Sequence, residues 1–561
     1  MRFTWRLATL FLPILGGCAG GSGAGAGAPA PSGATSATIS AADLRLRIGI
    51  FADDSMQGRR AGTPGNVRGN AYVASELARL GLTPAGDEGT FLQRVPLTRY
   101  AVSPSRATLR AGSTTLGAFK DYYPYQATFE VPARHLDGAS LVYIGTVADS
   151  SRLPSREALR GKLVVFRSHS AGNSLGAPDL SPNGPLGLIA GIAVTQIDPL
   201  IGTFEQFLRT PRLVVAGSNG VPPGVTQPRM LFLPTASVPL LFGKPLGDLR
   251  PGDTGPALQG DVTFDATELQ ASNVVAILEG ADPTRRGQYL ALGAHNDAIG
   301  IVPVVDHDSL RAYNTVMRPR GANDPVGSPS EEQARRIRAI VDSLRRLRPA
   351  RPDSIVNGAD DDGSGSMGLL EIAEAVTQGG DRPRRSLLFV WHTGEESGLQ
   401  GSRWFTDHPT VPRDSIVAQV NVDMIARGGP QDEAQGGPGY IQAIGTRRLS
   451  TELGDLAEAV NREGNHGLIF DYSYDVDGHP DNFYCRSDHY MYARYGIPIA
   501  FFSTGGHRDY HQVTDEPEYL DYDKYARVTR FIADLAERVA NVDHRPVVDH
   551  PKPDPSAPCQ Q

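Results

Sequence analysis

From residue 272 onward, short apolar runs alternate with helix-like stretches, and no other feature of this 561-residue chain constrains its fold as strongly. Asn273–Leu278, Tyr289–Leu292, Ser386–Trp391 and Val417–Val422 read as strands, and Gly368–Val376 reads as a helix. Runs that are apolar almost throughout suit strands covered on both faces. The pattern therefore predicts an α/β fold: a mixed, largely parallel central sheet sandwiched by helices.

Polar chemistry gathers where these strands end, the edge at which open α/β sheets present functional groups. His295 and Asp297 follow the first strand pair, and Asp361 lies in the Gly-rich acidic turn Asn357–Gly365. Glu395 and Glu396 follow the run that ends at Trp391. Asp423 closes the strand through Val422, and His511 follows the strand-like Pro498–Phe502. Taken singly, each has an ordinary structural reading: a strand-end His, a solvated acidic turn, a helix cap or a charged helix start. Taken one from each of these five stretches, two His and three carboxylates form a donor set suited to zinc. Ser487-Asp488-His489, just ahead of Tyr490–Tyr495, reads as a helix cap outside that set.

Elsewhere the texture differs. Asn70–Leu80 has helical spacing and is stopped by Gly81. From about 105 to 268, Ser140–Tyr143, Lys162–Phe166 and Leu188–Val194 alternate with Pro and Gly clusters, predicting an inserted β-rich module. Residues 301–357 open loop-like and then carry Ser330–Leu347, a highly charged helix with capping-box spacing at Ser330 and Gln333. That helix reads either as a solvated surface element or as a lid near the site. Domain borders are expected as 1–18, 19–40, 41–105, 106–268, 269–545 and a Pro-rich tail at 546–561.

At the N-terminus, Arg2 and Arg6 precede an apolar run, Leu7–Leu15, which is too short to span a bilayer but suits a signal-peptide core. Leu15-Gly16-Gly17-Cys18 resembles a bacterial lipobox. Its resemblance implies export, lipid attachment at Cys18 and anchorage to a bacterial membrane, with residues 19–40 as a flexible Gly/Ala/Ser tether. An exported location permits a disulfide between Cys485 and Cys559, which the sequence leaves open. The net charge of −8, from 54 basic and 62 acidic residues, argues against a nucleic-acid partner.

The stretches Ala294–Asp297, Gly358–Gly365, Glu395–Ser402, Asn421–Met424 and Tyr510-His511, in this order, resemble the zinc-dependent peptidase family M28. Gly58–Gly65 and Leu80–Pro84 resemble its N-terminal part. The resemblance implies a zinc exopeptidase fold binding two Zn²⁺ ions and acting on peptides. Asp361 would bridge the ions, His295 and Asp423 completing one site, Glu396 and His511 the other. Asp297 would hydrogen-bond His295. Glu395 would serve as the general base for a bridging hydroxide, and Tyr510 would stabilise the oxyanion. The favoured activity is removal of N-terminal residues. Carboxypeptidase or dipeptidase action through an Arg such as Arg427 remains open, as does a non-catalytic receptor-like role. Leu159–Val165 and Gly187–Val194 resemble a protease-associated domain. His295 and Asp361 lie 66 positions apart, far more than relatives need, and the 301–357 insertion accounts for the excess.

Overall fold

The computed structural model describes residues 35–561 except 104, 127–130, 147–152, 169–182, 199–200, 202–204, 206–207, 216–224, 325–326, 381 and 429–436. The signal-peptide and Cys18 readings lie outside the described residues. The chain divides into two compact units, one of residues 98–268 and one containing 35–97 and 269–561.

In the larger unit, helices α1 (Ala41–Phe51) and α2 (Pro64–Leu80) precede strands β1 (Thr83–Pro84) and β2 (Leu92–Val95). After the other unit, the chain continues through β3 (Ala271–Leu278), β4 (Tyr289–His295), β5 (Gly300–Asp306), α3 (His307–Met317), α4 (Glu331–Arg345) and β6 (Pro352–Val356). Then come α5 (Gly363–Gln378), β7 (Ser386–His392), α6 (Gln400–Asp407), β8 (Ile416–Val422), β9 (Tyr440–Ile444) and α7 (Thr451–Glu463). The last elements are β10 (Ile469–Asp471), α8 (His489–Ala493), β11 (Ile499–Ser503) and α9 (Tyr522–Asn541).

The sheet order is β1-β3-β7-β4-β8-β11-β9-β10, with β2 also pairing β3. Its centre, β7-β4-β8-β11, is parallel, while β3 pairs β7 and β9 pairs β11 in antiparallel fashion. The expected mixed α/β sheet is thus observed. Side chains alternate between two cores, as a period of two requires. Leu387, Phe389 and Trp391 of β7 join the core packed by α1, α2, α5 and α9, whereas Leu388 and Val390 join the opposite core with Phe405 and Tyr492. Register then does the decisive work. His295 pairs with His392, Gly293 with Asn421 and Val422 with Phe502, so the C-terminal ends of four parallel strands share one edge.

Helix boundaries follow from local chemistry. In α5, the Asp362 carboxylate accepts the Gly365 N–H at 2.8 Å. In α4, Ser330 and Gln333 form the expected reciprocal cap, at 3.2 and 2.9 Å. No residue of α4 is buried, so it is a solvated surface helix. The loop-like reading of the start of this insertion is corrected: it contains β5, paired with β6, and α3. Helix α3 buries Leu310, Ala312 and Val316, but Asp308 and Asn314 are buried beside them through bonds to distant partners, and these polar residues hid the helix.

Cys485 and Cys559 form a disulfide with Cα atoms 5.8 Å apart, closing a separation of 74 residues. In the chain-entropy account, a loop of that length is worth about 4 kcal/mol. The Pro-rich tail therefore docks: the Gln561 Oε1 accepts the Tyr484 N–H at 2.8 Å.

The smaller unit holds an eight-stranded sheet. Its parallel core consists of Ser140–Thr146, Leu163–Arg167, Gly191–Thr195 and Arg229–Phe232. Leu141, Tyr143, Leu163 and Val165 pack on one face, and Val142, Ile144, Val164 and Phe166 on the other.

His489 provides a stability test outside the candidate site. It stacks on Phe501 with ring centroids 4.4 Å apart, and burial pushes its imidazole down to about 3. The unfolded chain takes up a proton near the ordinary value of about 6.5 and the folded chain does not. Stability is therefore full above that value and falls by roughly 1.4 kcal/mol per pH unit as pH drops toward 3. Denaturant midpoints measured from pH 7 to 4 are expected to fall less steeply in His489→Asn than in the wild type. Parallel slopes would show that His489 contributes nothing to acid lability.

Candidate metal centre

The strand ends bring all five expected ligands together. His295 ends β4, Asp423 directly follows β8, and Glu395 and Glu396 follow β7. The Asp361 turn precedes α5, and His511 lies in the loop after β11. Two triads result, His295/Asp361/Asp423 and Asp361/Glu396/His511, each with ligand atoms within 4.8 Å of one another. Asp361 belongs to both because its two oxygens diverge. Its Oδ1 lies 3.1 Å from His295 Nε2, and its Oδ2 lies 3.0 Å from His511 Nε2. His295 Nε2 is 3.6 Å from Asp423 Oδ1, and His511 Nε2 is 2.9 Å from Glu396 Oε2.

Glu395 belongs to neither triad, yet its Oε2 lies 3.9 Å from His295 Nε2. Its backbone N–H donates to Asp297 Oδ1 at 3.1 Å. This sharpens the expected role of Asp297. Its backbone carbonyl, not its carboxylate, is the atom 3.1 Å from His295 Nδ1, and the Asp297 Oδ1 is 3.7 Å away. A ring nitrogen held by that carbonyl leaves Nε2 facing the carboxylates. Tyr510 stacks on His511 with ring centroids 3.7 Å apart, and its hydroxyl is 3.4 Å from Arg486 Nη2.

Electrostatics mark the site as a trap for positive charge. Burial opposes protonation of His511, but Glu396 and Asp361 outweigh it and lift the imidazole to about 10. Burial likewise opposes charge on His295, which Asp423, Asp361 and Glu395 raise well above the ordinary range. Burial drives Glu395 well above the carboxylate range; His295 opposes the shift, and Asp423 and Glu396 add to it. Burial also lifts Asp297 to about 7, against His295. Asp423 Oδ1 and Glu396 Oε1 are buried without a hydrogen-bond partner. Orphaned buried acceptors are costly, and oxygens converging beside two His nitrogens fit cations such as Zn²⁺.

The surroundings hold the ligands by their backbones. Asp362 does more than cap α5: its carboxylate accepts the His295 N–H at 3.0 Å and the Met424 N–H at 3.1 Å. Asp515 accepts the N–H groups of Asp360 and Asp361, each at 3.1 Å. Arg59, fully buried, donates to the carbonyls of Asn357 and Gly358 at 2.7 and 2.9 Å. Gly358 has φ +56°, and a Cβ there would lie 2.2 Å from the Asp361 carbonyl oxygen, so the turn requires glycine. His511 and Met424 adopt φ of 60° and 63°, left-handed conformations that cost about 1–3 kcal/mol each and persist only where neighbours enforce them.

One sequence reading is corrected here. Ser487-Asp488-His489 does not cap α8 through a side chain. Instead, Ser487 Oγ donates to Asp423 Oδ2 at 2.7 Å and accepts from Asn421 Nδ2 at 3.0 Å. Asp488 Oδ2 lies 3.3 Å from His392 Nδ1. A cap reading considers only the helix that follows, whereas here the residues face the neighbouring strands. A third His–carboxylate group, His307/Asp353/Glu516, has an ordinary explanation: His307 bonds Asp353 at 3.1 Å and the Tyr519 hydroxyl at 3.0 Å.

The family model described as Peptidase family M28 matches residues 273–536, so the resemblance carried by the motifs is borne out over that segment. Leupeptin-inactivating enzyme 1 of Streptomyces exfoliatus is 31% identical over 156 residues, which is 27% of this chain and 31% of that protein. Leucine aminopeptidase 1 of Coccidioides posadasii (strain C735) is 31% identical over 187 residues, 31% of this chain and 45% of that protein. The chain thus spans less than half the length of these relatives. Among solved structures, the aminopeptidase from Aneurinibacillus sp. strain AM-1 superposes with a TM-score of 0.50 at 15% identity, covering 92% of this chain and 97% of that one. At that identity the likeness concerns the fold.

Proposed function

We propose that this chain, whose residues 273–536 match peptidase family M28, is a dinuclear zinc aminopeptidase that removes N-terminal residues from peptides. The observation that carries this reading is the sharing of Asp361 by two His–carboxylate triads, with Glu395 beside them and outside both. His295, Asp361 and Asp423 would hold one ion, and Asp361, Glu396 and His511 the other. Zinc in such a pair supplies Lewis acidity toward a peptide carbonyl and lowers the pKa of water.

The remaining chemistry belongs to the chain's own residues. Glu395 accepts the proton of the attacking water and delivers it to the leaving amine, a task suited to a carboxylate beside both triads that belongs to neither. Asp297 orients this base through the Glu395 N–H and orients His295 through its carbonyl. Tyr510, whose phenol burial keeps protonated, donates to the oxyanion.

Arg427, which could have recognised a substrate carboxylate, is 1% exposed and lies 3.1 Å from Asp509, so that role does not fall to this residue. The name of the leucine aminopeptidase relative supports the aminopeptidase reading. The Cys485–Cys559 disulfide supports an exported, oxidising location, in keeping with lipid attachment at Cys18. No helix among the described residues is long and apolar enough to cross a membrane.

Amino-acid p-nitroanilides and N- or C-blocked dipeptides, assayed with and without chelator, test the proposal. Free-amine substrates should be cleaved and chelation should abolish turnover. Chelator-insensitive cleavage, or a demand for a free carboxylate, would overturn it.

A further inference from the structure

The 301–357 insertion grips the loop that carries His511. Asn314 of α3 donates through Nδ2 to Gln512 Oε1 at 2.7 Å, with Asp509 Oδ1 and Thr514 Oγ1 each at 3.3 Å. Arg311, one helical turn earlier, reaches Asp509 Oδ2 at 2.5 Å. Arg318 Nη1 donates to the Arg508 carbonyl at 3.0 Å, and the Ala322 N–H donates to the Gly506 carbonyl at 2.9 Å. These bonds bracket His511 on both sides. His511 itself has the left-handed φ of 60°, a backbone state that a non-glycine residue keeps only where surrounding contacts over-determine it. Asn314 and Asp509 are each 0% exposed, so these bonds are shielded from water and hard to replace. By contrast, His295 lies on a central strand and Asp423 directly follows one, and neither needs the insertion for its position.

We infer that the insertion is a positioning clamp for His511: Asn314 and Arg311 set the affinity of the Asp361/Glu396/His511 subsite and leave the His295/Asp361/Asp423 subsite unaffected. The inference rests on the dinuclear reading above. It gives the insertion a role that neither a bare surface helix nor a lid supplies, because α3, not the exposed α4, makes the contacts.

Zinc titration of the chelator-stripped full chain against a chromophoric competitor tests it. Wild type should bind two equivalents. Asn314→Leu, close in shape but unable to donate, should keep one equivalent within about threefold and weaken the other by at least tenfold. In a Glu396→Ala background, which removes the second subsite, the substitution should change nothing further. Arg311→Met should act in the same direction and Arg311→Lys should restore binding; Arg311 is partly exposed, so these variants guard against a misfolded Asn314→Leu. Arg348→Ala, which breaks two bonds to Asp308 within the insertion, should bind zinc as wild type does. Two wild-type affinities in Asn314→Leu and Arg311→Met, equal weakening of both subsites, or the same loss in Arg348→Ala would overturn the clamp. A wild-type protein binding fewer than two equivalents would instead sink the dinuclear reading.

Discussion

Replacing Glu395 with Gln is expected to lower kcat by about 10²–10⁴-fold, the usual contribution of a general base, while zinc content stays at the wild-type level. The geometry separates the two roles. Glu396 Oε2 lies 2.9 Å from His511 Nε2 and falls within a triad, whereas Glu395 approaches His295 Nε2 at 3.9 Å and falls within none. The amide keeps the shape of the carboxylate and leaves the backbone bond to Asp297 intact, but it cannot accept a proton from water. Burial of a neutral amide costs less than burial of a carboxylate among carboxylates, so the variant should fold at least as stably. Steady-state kinetics paired with elemental analysis check this. Loss of metal together with activity would make Glu395 a ligand, and full activity would remove it from the mechanism.

Asp361→Ala should have the largest effect on binding: zinc falls from two equivalents per chain to near zero. Both oxygens of this carboxylate are engaged, one toward each His, so a single truncation removes a ligand from both subsites. The remaining pairs, His295 with Asp423 and Glu396 with His511, offer two protein donors each where zinc usually takes three. Thermal unfolding gives a second readout. Zinc at a thousandfold excess over Kd stabilises a one-site protein by about 4 kcal/mol. That shift should appear in the wild type and vanish in Asp361→Ala. The apo variant should itself be less stable than the apo wild type, because burial opposes ionisation of Asp361 but His295 and His511 outweigh it and hold the carboxyl well below the usual range, so the zinc-dependent shift is the readout. A variant retaining one tight equivalent would show that Asp361 does not bridge.

Much of the site was legible in the chain because strand ends are local events. A buried parallel strand shows as a largely apolar run, and polar residues gather just past its end, as Glu395 after Ser386–His392 and Asp423 after Ile416–Val422 illustrate. What the sequence concealed has a common cause. Ser487, Asp362, Asp515 and Asn314 are polar residues with partners 62 to 200 positions away. Nothing in a local pattern distinguishes such a residue from a cap or a solvated turn. The same holds for α3, whose buried apolar residues are interrupted by buried Asp308 and Asn314, and for Cys485 and Cys559, which pair because the tail folds back onto the larger unit.

The amino-acid sequence by itself determined the α/β class and put His295, Asp361, Glu395, Glu396, Asp423 and His511 forward as candidates, while the division of roles between Glu395 and Glu396 came only from the resemblance to the peptidase family. Hydrophobic periodicity and donor chemistry are properties of short segments, and they survive without knowledge of neighbours. Only the tertiary structure decided that the Asp361 oxygens diverge toward two different His residues, that the Asp297 carbonyl rather than its carboxylate meets His295, and that α3 holds the His511 loop. Those facts depend on strand register and on which buried donor meets which acceptor, quantities fixed by packing the whole unit at once.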